Sequence, residues 1–204
     1  SARTGSYGHP AQLGTPSGLR AIVMNTRRPA LAPSAVRQVM DLMFDFQWTN
    51  KILYGGLFTR TDSYFGNTDL SAAGRAALPA ERKILGDRLS EPALDIGYQP
   101  PVSDGSGRDR NLKRQALLIL EAAGYQLDGK TLRAPNGAPV NLELLVQRRE
   151  DERLALAYRR MLAQVGITLS VRLVDASQYQ RRLQTFDFDM IIYNYYASLS
   201  PGNE

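Results

Sequence analysis

The stretch NLELLVQRREDERLALAYRRMLAQVGITLSVRLV, residues 141–174, decides the fold class of this chain. Its first seven residues form a mostly apolar run, and residues 166–174 alternate in polarity, so both segments are predicted strands. Between them, apolar side chains recur at helical spacing, at Leu154, Tyr158, Met161, Leu162 and Val165, and Gly166 ends that helix. Strand, helix and strand in this order predict a right-handed βαβ unit with parallel strands.

The same kind of pattern continues on both sides of this unit. A helix is predicted at residues 176–184 and a last strand at residues 189–194. Upstream, an apolar helical stripe ends at Gly124. The stripe consists of Leu112, Ala116, Ile119, Leu120 and Ala123. Residues 130–140, KTLRAPNGAPV, are typical of a short hairpin with its turn at Asn136–Gly137.

A first strand and a helical region are predicted near the beginning of the chain. Residues 19–25, LRAIVMN, form an apolar run of strand length. Ser34 is the expected N-cap of a helix, or of a broken pair of helices, that continues to Leu53. Gly55 follows and is expected to end it.

In two parts of the chain the apolar residues do not recur at helix or strand spacing. Residues 1–18 are rich in Gly, Ser and Pro, which predicts an irregular leading segment or hinge. Residues 57–108 have turn chemistry throughout, apart from a short helix predicted at residues 79–89. We interpret residues 57–108 as an elaborated surface segment of one α/β layer and not as a linker between domains.

Composition and charge exclude several classes of protein. The chain has 25 Lys+Arg against 20 Asp+Glu, a net charge of +5, and no cysteine. The absence of cysteine excludes disulfides, thiolate metal sites and a cysteine nucleophile. The basic residues are scattered, whereas nucleic-acid-binding proteins concentrate theirs on one stripe, so no nucleic-acid partner is predicted. A basic module that binds anionic polymers stays open as an alternative.

Few side chains offer catalysis or metal binding. The one histidine, His9, lies in the irregular leading segment, whereas a catalytic triad needs a fixed imidazole. Residues 150–152, Glu-Asp-Glu, open a predicted helix, where carboxylates stabilise the helix dipole. No cofactor, metal site or catalytic residue is therefore predicted. The open alternative is a hydrolase that acts through Asp187 and Asp189, although solvation at a strand edge explains both carboxylates.

Three tyrosines cluster where the last predicted strand ends. They are Tyr193, Tyr195 and Tyr196. In open α/β sheets, ligands bind beyond the carboxyl ends of parallel strands. Tyrosine combines a large apolar ring with a hydroxyl, which suits a ligand surface. The sequence therefore predicts a ligand site at this strand end.

Several longer stretches carry a family resemblance. Residues 19–56, LRAIVMNTRRPALAPSAVRQVMDLMFDFQWTNKILYGG, combine an apolar strand, Asn-Thr, Pro and Val-Arg-Gln in a recognisable order. Residues 60–70, 98–125 and 176–204 agree in order as well. Together they resemble the extracellular solute-binding proteins of family 5, the oligopeptide, dipeptide and nickel receptors of ABC importers. The ending SLSPGNE is similar to the Yej-type peptide-importer branch.

The resemblance implies a fold and a function. It implies a type II periplasmic-binding-protein lobe, with helices on both faces of a mixed sheet. Residues 19–204 would be the C-terminal lobe of a two-lobed protein whose N-terminal lobe, C-terminal tail and signal peptide lie outside this sequence. That protein would be a periplasmic monomer without enzymatic activity. It would deliver peptides or modified peptides to an inner-membrane ABC permease.

The resemblance also implies ligand contacts. In oligopeptide receptors of the family, the segment after this strand carries a Trp, and then an Asp that pairs with the amino terminus of the peptide. Tyr195 stands at the Trp-like position, and Ser198, which cannot supply that charge, stands at the Asp-like one. The predicted contacts are therefore Tyr195, Tyr196 and Ser198, followed by Asn194. Arg60 is the last candidate, as a bidentate partner for a ligand carboxylate.

Overall fold

The computed structural model describes residues 18–68, 71–86, 95 and 97–196, and these contain six helices and six strands. In chain order they are β1 (Leu19–Met24), α1 (Ser34–Leu42), α2 (Phe46–Tyr54), α3 (Pro79–Leu85), α4 (Arg110–Ala122), β2 (Gln126–Asp128), β3 (Thr131–Arg133), β4 (Asn141–Val146), α5 (Arg149–Leu162), β5 (Thr168–Leu173), α6 (Ala176–Gln184) and β6 (Met190–Tyr195). A 3₁₀ turn, Ala163–Val165, extends α5. None of these helices combines the length and apolar character needed to span a bilayer.

The described residues form two compact units. The larger unit comprises Arg20–Arg60 and Pro100–Tyr193. The smaller unit comprises the described residues of Thr61–Gln99 together with residues 18–19 and 194–196. Every residue that the structure shows as fully buried belongs to the larger unit, whose core is therefore its own.

A four-stranded sheet in the order β1-β6-β4-β5 organises the larger unit. β4 pairs in parallel with β5, from Asn141 opposite Thr168, and with β6, through Leu144 opposite Met190. The N–H of Asn25, just after β1, donates to the carbonyl of Asp189, just before β6 (2.8 Å). β1 therefore runs antiparallel to its neighbour, and the sheet is mixed. The parallel βαβ arrangement predicted from the sequence is confirmed.

The two faces of the sheet carry different helices. On one face, Leu144 belongs to the main core, with residues of α1, α4 and α5. Its neighbour Leu145 points to the other face, where it is buried with Tyr179 of α6 and Ile191 of β6. Burying a side chain of this size stabilises the fold by roughly 1.5–3 kcal/mol. Because successive residues of a strand alternate between faces, the apolar run of β4 serves both cores.

The predicted helical region near residue 34 is a pair of helices, and its predicted cap is wrong. Ser34 is already helical, and Pro33 occupies the N-cap position without a side-chain hydrogen bond. The second helix has its own cap, because the carboxylate of Asp45 accepts the N–H of Trp48 (2.8 Å). Gly55 ends α2 in the left-handed conformation, as predicted.

A hairpin of two regular strands precedes the turn that the sequence predicted within residues 130–140. β2 and β3 pair in antiparallel fashion around Gly129, so residues 126–133 form the hairpin. The predicted turn at Asn136–Gly137 is present as well. Arg133 and Pro139 form an antiparallel bridge, and the N–H groups of Ala134 and Val140 donate to the carbonyls of Ala138 (2.8 Å) and Leu132 (2.9 Å). α3 ends at Leu85, and the rest of the predicted helix at residues 79–89 lies largely outside the described residues.

Candidate functional site

Tyrosines at the carboxyl end of β6 are exposed, as a ligand surface requires. Asn194 and Tyr195 are the last residues of β6, and Tyr196 follows directly. The exposed fraction is 38% for Tyr195 and 84% for Tyr196. The ring of Tyr64 meets the ring of Tyr195 edge to face, with 6.1 Å between centroids and 83° between planes. All four residues belong to the smaller unit.

The smaller unit is poor in burial throughout. Its described residues include no buried side chain, and Tyr64, Phe65 and Tyr98 are exposed along with Tyr195 and Tyr196. Exposed aromatic rings in contact with one another, as Tyr64 and Tyr195 are, are typical of an interaction surface. Ser198, the third predicted contact, lies outside the described residues.

Arg60 belongs to the larger unit and has partners within it. One guanidinium nitrogen donates to Asp41 and the other to the carbonyl of Pro101, at 2.8 and 2.7 Å. The guanidinium also lies 6.0 Å from the ring centroid of Phe44. These contacts attach residues 100–101 to α1. Arg60 therefore stabilises the fold, whereas the sequence suggested it only as a ligand contact.

An ion pair with a buried carboxylate joins the start of β1 to the start of α5. The Arg20 guanidinium donates to the Asp151 carboxylate. Asp151 is only 6% exposed, whereas the Arg20 side chain is 37% exposed. The sequence explained Asp151 by the helix dipole alone and did not single out Arg20. No periodic pattern predicts a pairing across 131 residues.

Two tyrosines of the larger unit have raised pKa values in this region. Burial raises the pKa of Tyr54, and the nearby charges of Asp151 and Arg20 act on it in opposite directions. Burial, and then the charge of Asp151, raise the pKa of Tyr179 to about 12. The Tyr179 hydroxyl donates to the carbonyl of Ile192 (2.9 Å). Both phenols are therefore protonated, and able to donate hydrogen bonds, at neutral pH.

The carboxylates of the hydrolase alternative are held in ion pairs. Arg28 donates to Asp187 at 2.8 Å and lies 3.3 Å from Asp189. Arg182 lies 2.6 Å from Glu143 and 3.3 Å from Asp187. The second oxygen of Asp189 accepts the N–H of Glu143 (2.9 Å). This network fastens the beginning of β6 to its neighbours, which explains both carboxylates without catalysis.

In a shallow pocket beside α2 and α4, the carboxylates of the lining already accept hydrogen bonds from the backbone. It is lined by Leu42, Met43, Asp45, Ser103, Gly107, Asp109, Leu112 and Gln164. Asp45 accepts the N–H groups of Trp48 and Gly107, while Asp109 accepts those of Asn111 and Leu112. Among the residues that the structure describes, no cluster of His, Cys, Asp or Glu is suited to hold a metal ion.

Comparison with protein families gives one match over almost the whole chain. Residues 4–204 match the family described as bacterial extracellular solute-binding proteins, family 5 middle. The solved oligopeptide-binding protein AppA of Bacillus subtilis, in complex with a nonapeptide, shares the fold with a TM-score of 0.62 at 16% identity. That similarity covers 92% of this chain and 32% of AppA. The α/β fold of type II binding proteins is therefore confirmed.

Curated relatives are more similar in sequence. The peptidoglycan-binding protein YepA of Agrobacterium fabrum is 39% identical over 192 residues, which cover 93% of this chain and 31% of YepA. A second protein of the same organism, named "Probable peptide-binding protein YejA", is 33% identical and is matched over 91% of this chain and 31% of its own length. The chain thus spans about a third of the length of these relatives.

Proposed function

The chain belongs to family 5 of the bacterial extracellular solute-binding proteins, and we propose that it forms the ligand-binding lobe of a periplasmic receptor that delivers peptides or modified peptides to an ABC importer. In this proposal residues 19–204 are the C-terminal lobe of a two-lobed protein, and residues 1–18 are an irregular leading segment or hinge. The fraction of its relatives that the chain spans supports this assignment. The receptor acts as a monomer, without catalysis and without nucleic acid.

The observation that carries the proposal is the exposed aromatic surface at the end of β6. Tyr195 keeps 38% of its surface exposed although it ends a strand of the sheet, and Tyr196 keeps 84%. Aromatic rings placed beyond the carboxyl end of a strand can stack on the planar amides and apolar side chains of a peptide. We therefore propose Tyr195 and Tyr196 as the principal ligand contacts.

The remaining predicted contacts have weaker support. Ser198 and Asn194 offer hydroxyl and amide groups that hydrogen-bond to a peptide backbone without selecting side chains. Arg60 ranks last, because its guanidinium already donates to Asp41 and to the carbonyl of Pro101. Ser198 stands where oligopeptide receptors of the family carry an Asp, so this segment is not proposed to bind the amino terminus of a peptide.

Two ligand classes fit the relatives. One relative is named for peptidoglycan binding and another for peptide binding. The peptide stems of peptidoglycan belong to both classes, since they combine amide bonds with several carboxylates. We therefore propose short peptides, including peptidoglycan-derived ones, as the ligands.

The test begins with the full-length protein. Ligand that co-purifies from the periplasm is released by mild denaturation and identified by mass spectrometry, and the proposal expects peptides or peptidoglycan fragments. Replacing Tyr195 or Tyr196 by Ala is then expected to cost roughly 1–3 kcal/mol of binding free energy, as for buried aromatic anchors.

Phe186 provides a control, because it is an exposed aromatic residue that precedes the amino end of β6, whereas Tyr195 lies at the carboxyl end of that strand. Phe186→Ala is expected to leave the affinity within twofold of the unaltered protein. If Tyr195→Ala and Tyr196→Ala lower the melting temperature but not the affinity of the folded fraction, the tyrosines are structural and the site assignment is wrong.

A further inference from the structure

The Arg20–Asp151 ion pair is asymmetric in its exposure. Asp151 is 6% exposed, while the Arg20 side chain keeps 37% of its surface exposed. The buried carboxylate thus anchors one side of a guanidinium whose other side reaches solvent. An arginine has five N–H donors in a fixed fork, and one carboxylate engages two of them at most. Donors are therefore available for a second, external acceptor.

The pair also lies at the edge of the sheet where ligands bind. Arg20 is the second residue of β1, which runs antiparallel to β6, and Asp151 lies in the first turn of α5, directly after β4. Both residues therefore mark the carboxyl edge of the parallel strands, the usual ligand edge of an open α/β sheet.

Local charge at the pair favours an anion. Residues 148–153, RREDER, contain three arginines and three carboxylates, so with Arg20 the basic residues outnumber the acidic ones by one. The positive end of the α5 dipole adds to this. α2 packs against α5, and burial raises the pKa of its last residue, Tyr54, while the charges of Arg20 and Asp151 act on that pKa in opposite directions. The Tyr54 phenol is therefore a neutral hydrogen-bond donor close to Arg20.

We propose that Arg20 binds a carboxylate of the ligand, that Asp151 positions the Arg20 guanidinium, and that the Tyr54 hydroxyl donates to the same carboxylate. This inference rests on the proposed function and adds to it a chemical requirement, a free carboxylate on the peptide. It also names a charged contact in a chain whose Ser198 stands where the family's amine-binding Asp is expected.

The experiment uses the full-length protein and isothermal calorimetry. The probes are tetra-alanine and the stem tripeptide of peptidoglycan, each as the free acid and with its terminal carboxylate amidated. The unaltered protein is expected to bind at least one free acid at least tenfold more tightly than its amide. Arg20→Gln is expected to remove that preference while the affinity for the amide stays within twofold.

Three further variants separate binding from structure. Arg153→Gln removes an exposed arginine of the same segment and is expected to leave the tenfold preference intact, which controls for net charge. Asp151→Asn keeps the Arg20 cation but removes its anchor, and is expected to reduce the preference to two- to fivefold. Tyr54→Phe is also expected to reduce the preference for the free acid, but by less than Asp151→Asn does. Because the readout is the ratio between acid and amide, a general loss of folded protein does not imitate it.

The possible failures can be told apart. If the unaltered protein binds neither probe in any form, the proposed function fails and this subsite with it. If it binds acid and amide equally, or if Arg20→Gln weakens both alike, the carboxylate subsite is wrong while the proposed function stands. Should Arg20→Gln not fold, the acid preference of Tyr54→Phe decides, and an unchanged preference overturns the inference.

Discussion

The backbone N–H of Gly107 donates to the carboxylate of Asp45 at 2.7 Å and so joins the start of α2 to a loop 62 residues further along the chain. The same carboxylate caps α2 through the N–H of Trp48. Gly107 has a positive φ of 73°, and a Cβ there would lie 3.2 Å from the Trp48 ring. The loop backbone is therefore in direct contact with the indole, and only a residue without a side chain fits easily.

Asp45→Ala is expected to be strongly destabilising. Asp45 is 4% exposed, and its removal leaves the N–H groups of Trp48 and Gly107 without their acceptor. Each unsatisfied donor costs about 1–3 kcal/mol. We expect a loss of about 3 kcal/mol in the free energy of unfolding, measured by urea denaturation with Trp48 fluorescence. Glu121→Ala, at an exposed position of α4, should change it by less than about 0.5 kcal/mol.

Asp45 also shows where prediction from the sequence stops. Most elements after residue 109, namely α4, β4, α5, β5, α6 and β6, were predicted because apolar side chains recur at helical spacing or form strand-length runs, and burial in a core enforces these patterns. β2 has no such pattern and was not predicted. Contacts such as Asp45 with Gly107, or Arg20 with Asp151, connect residues 62 and 131 positions apart. They follow from the three-dimensional path of the chain and leave no local pattern.

The candidate site also has some features that the sequence predicts and others that it does not. The tyrosines at the end of β6 were predictable, because a strand end and a cluster of one residue type are both local features. The ion pairs of Asp187 and Asp189 with Arg28 were not, since Arg28 lies at the opposite end of the chain. The wrong N-cap prediction at Ser34 has a related cause. Ser34 is a residue type that favours the N-cap, but in the structure it is the first helical residue and Pro33 occupies the N-cap position.

Gly166→Ala tests the close contact that ends α5. Gly166 has a φ of +80°, and a Cβ there would lie 2.5 Å from a methyl carbon of Leu127 and 2.7 Å from the backbone nitrogen of Leu132. Its carbonyl also accepts the Leu132 N–H (2.8 Å), so the β3 backbone cannot retreat freely. We expect a loss of more than about 3 kcal/mol in the free energy of unfolding, from overpacking and backbone strain together.

Gly129→Ala is the matched control for that variant. Gly129 has a φ of +59° but nothing within 4 Å of an added Cβ, so only the backbone strain applies. That strain costs about 1–2 kcal/mol. Equal losses for the two variants would show that the contact between Gly166 and β3 is looser than described.

The raised pKa of Tyr179 makes the free energy of unfolding depend on pH in the alkaline range. Its pKa is raised to about 12 in the folded chain, against about 10 when unfolded. Below pH 10 the phenol is protonated in both states, so its contribution is fully present. Between pH 10 and 12 the unfolded chain releases the proton and the folded chain keeps it, so stability falls by up to about 1.4 kcal/mol per pH unit. Burial raises the pKa of Tyr158 as well, which adds to the same trend.

Urea denaturation at pH 9, 10 and 11 measures this slope. Tyr179→Phe loses the hydrogen bond to Ile192 at every pH, but its stability is expected to decline less steeply above pH 10. Tyr196→Phe, at a position that is 84% exposed, should keep the original slope. An identical slope in all three proteins would contradict a raised pKa at Tyr179.

The two compact units predict an order of proteolytic cleavage. The described residues of the smaller unit have no buried side chain, whereas α4 and α5 place Leu120, Tyr158 and Leu162 in the main core. Segments with little burial open with a low free energy, and a protease cuts the open form. Brief trypsin digestion of the 204-residue chain is therefore expected to cut first within residues 1–18 or 57–108.

The helices themselves provide the internal control. α5 contains Arg149, Arg153, Arg159 and Arg160, so trypsin has sites there as well, and only the stability of the fold protects them. Mass spectrometry of the first fragments should show residues 110–184 intact, because α4, α5 and β4 share one core and open together. Chymotrypsin, which cuts beside aromatic residues, should give the same order. Early cuts between residues 124 and 185 with either protease would mean that α5 does not depend on the sheet, and the architecture described for the larger unit would be wrong.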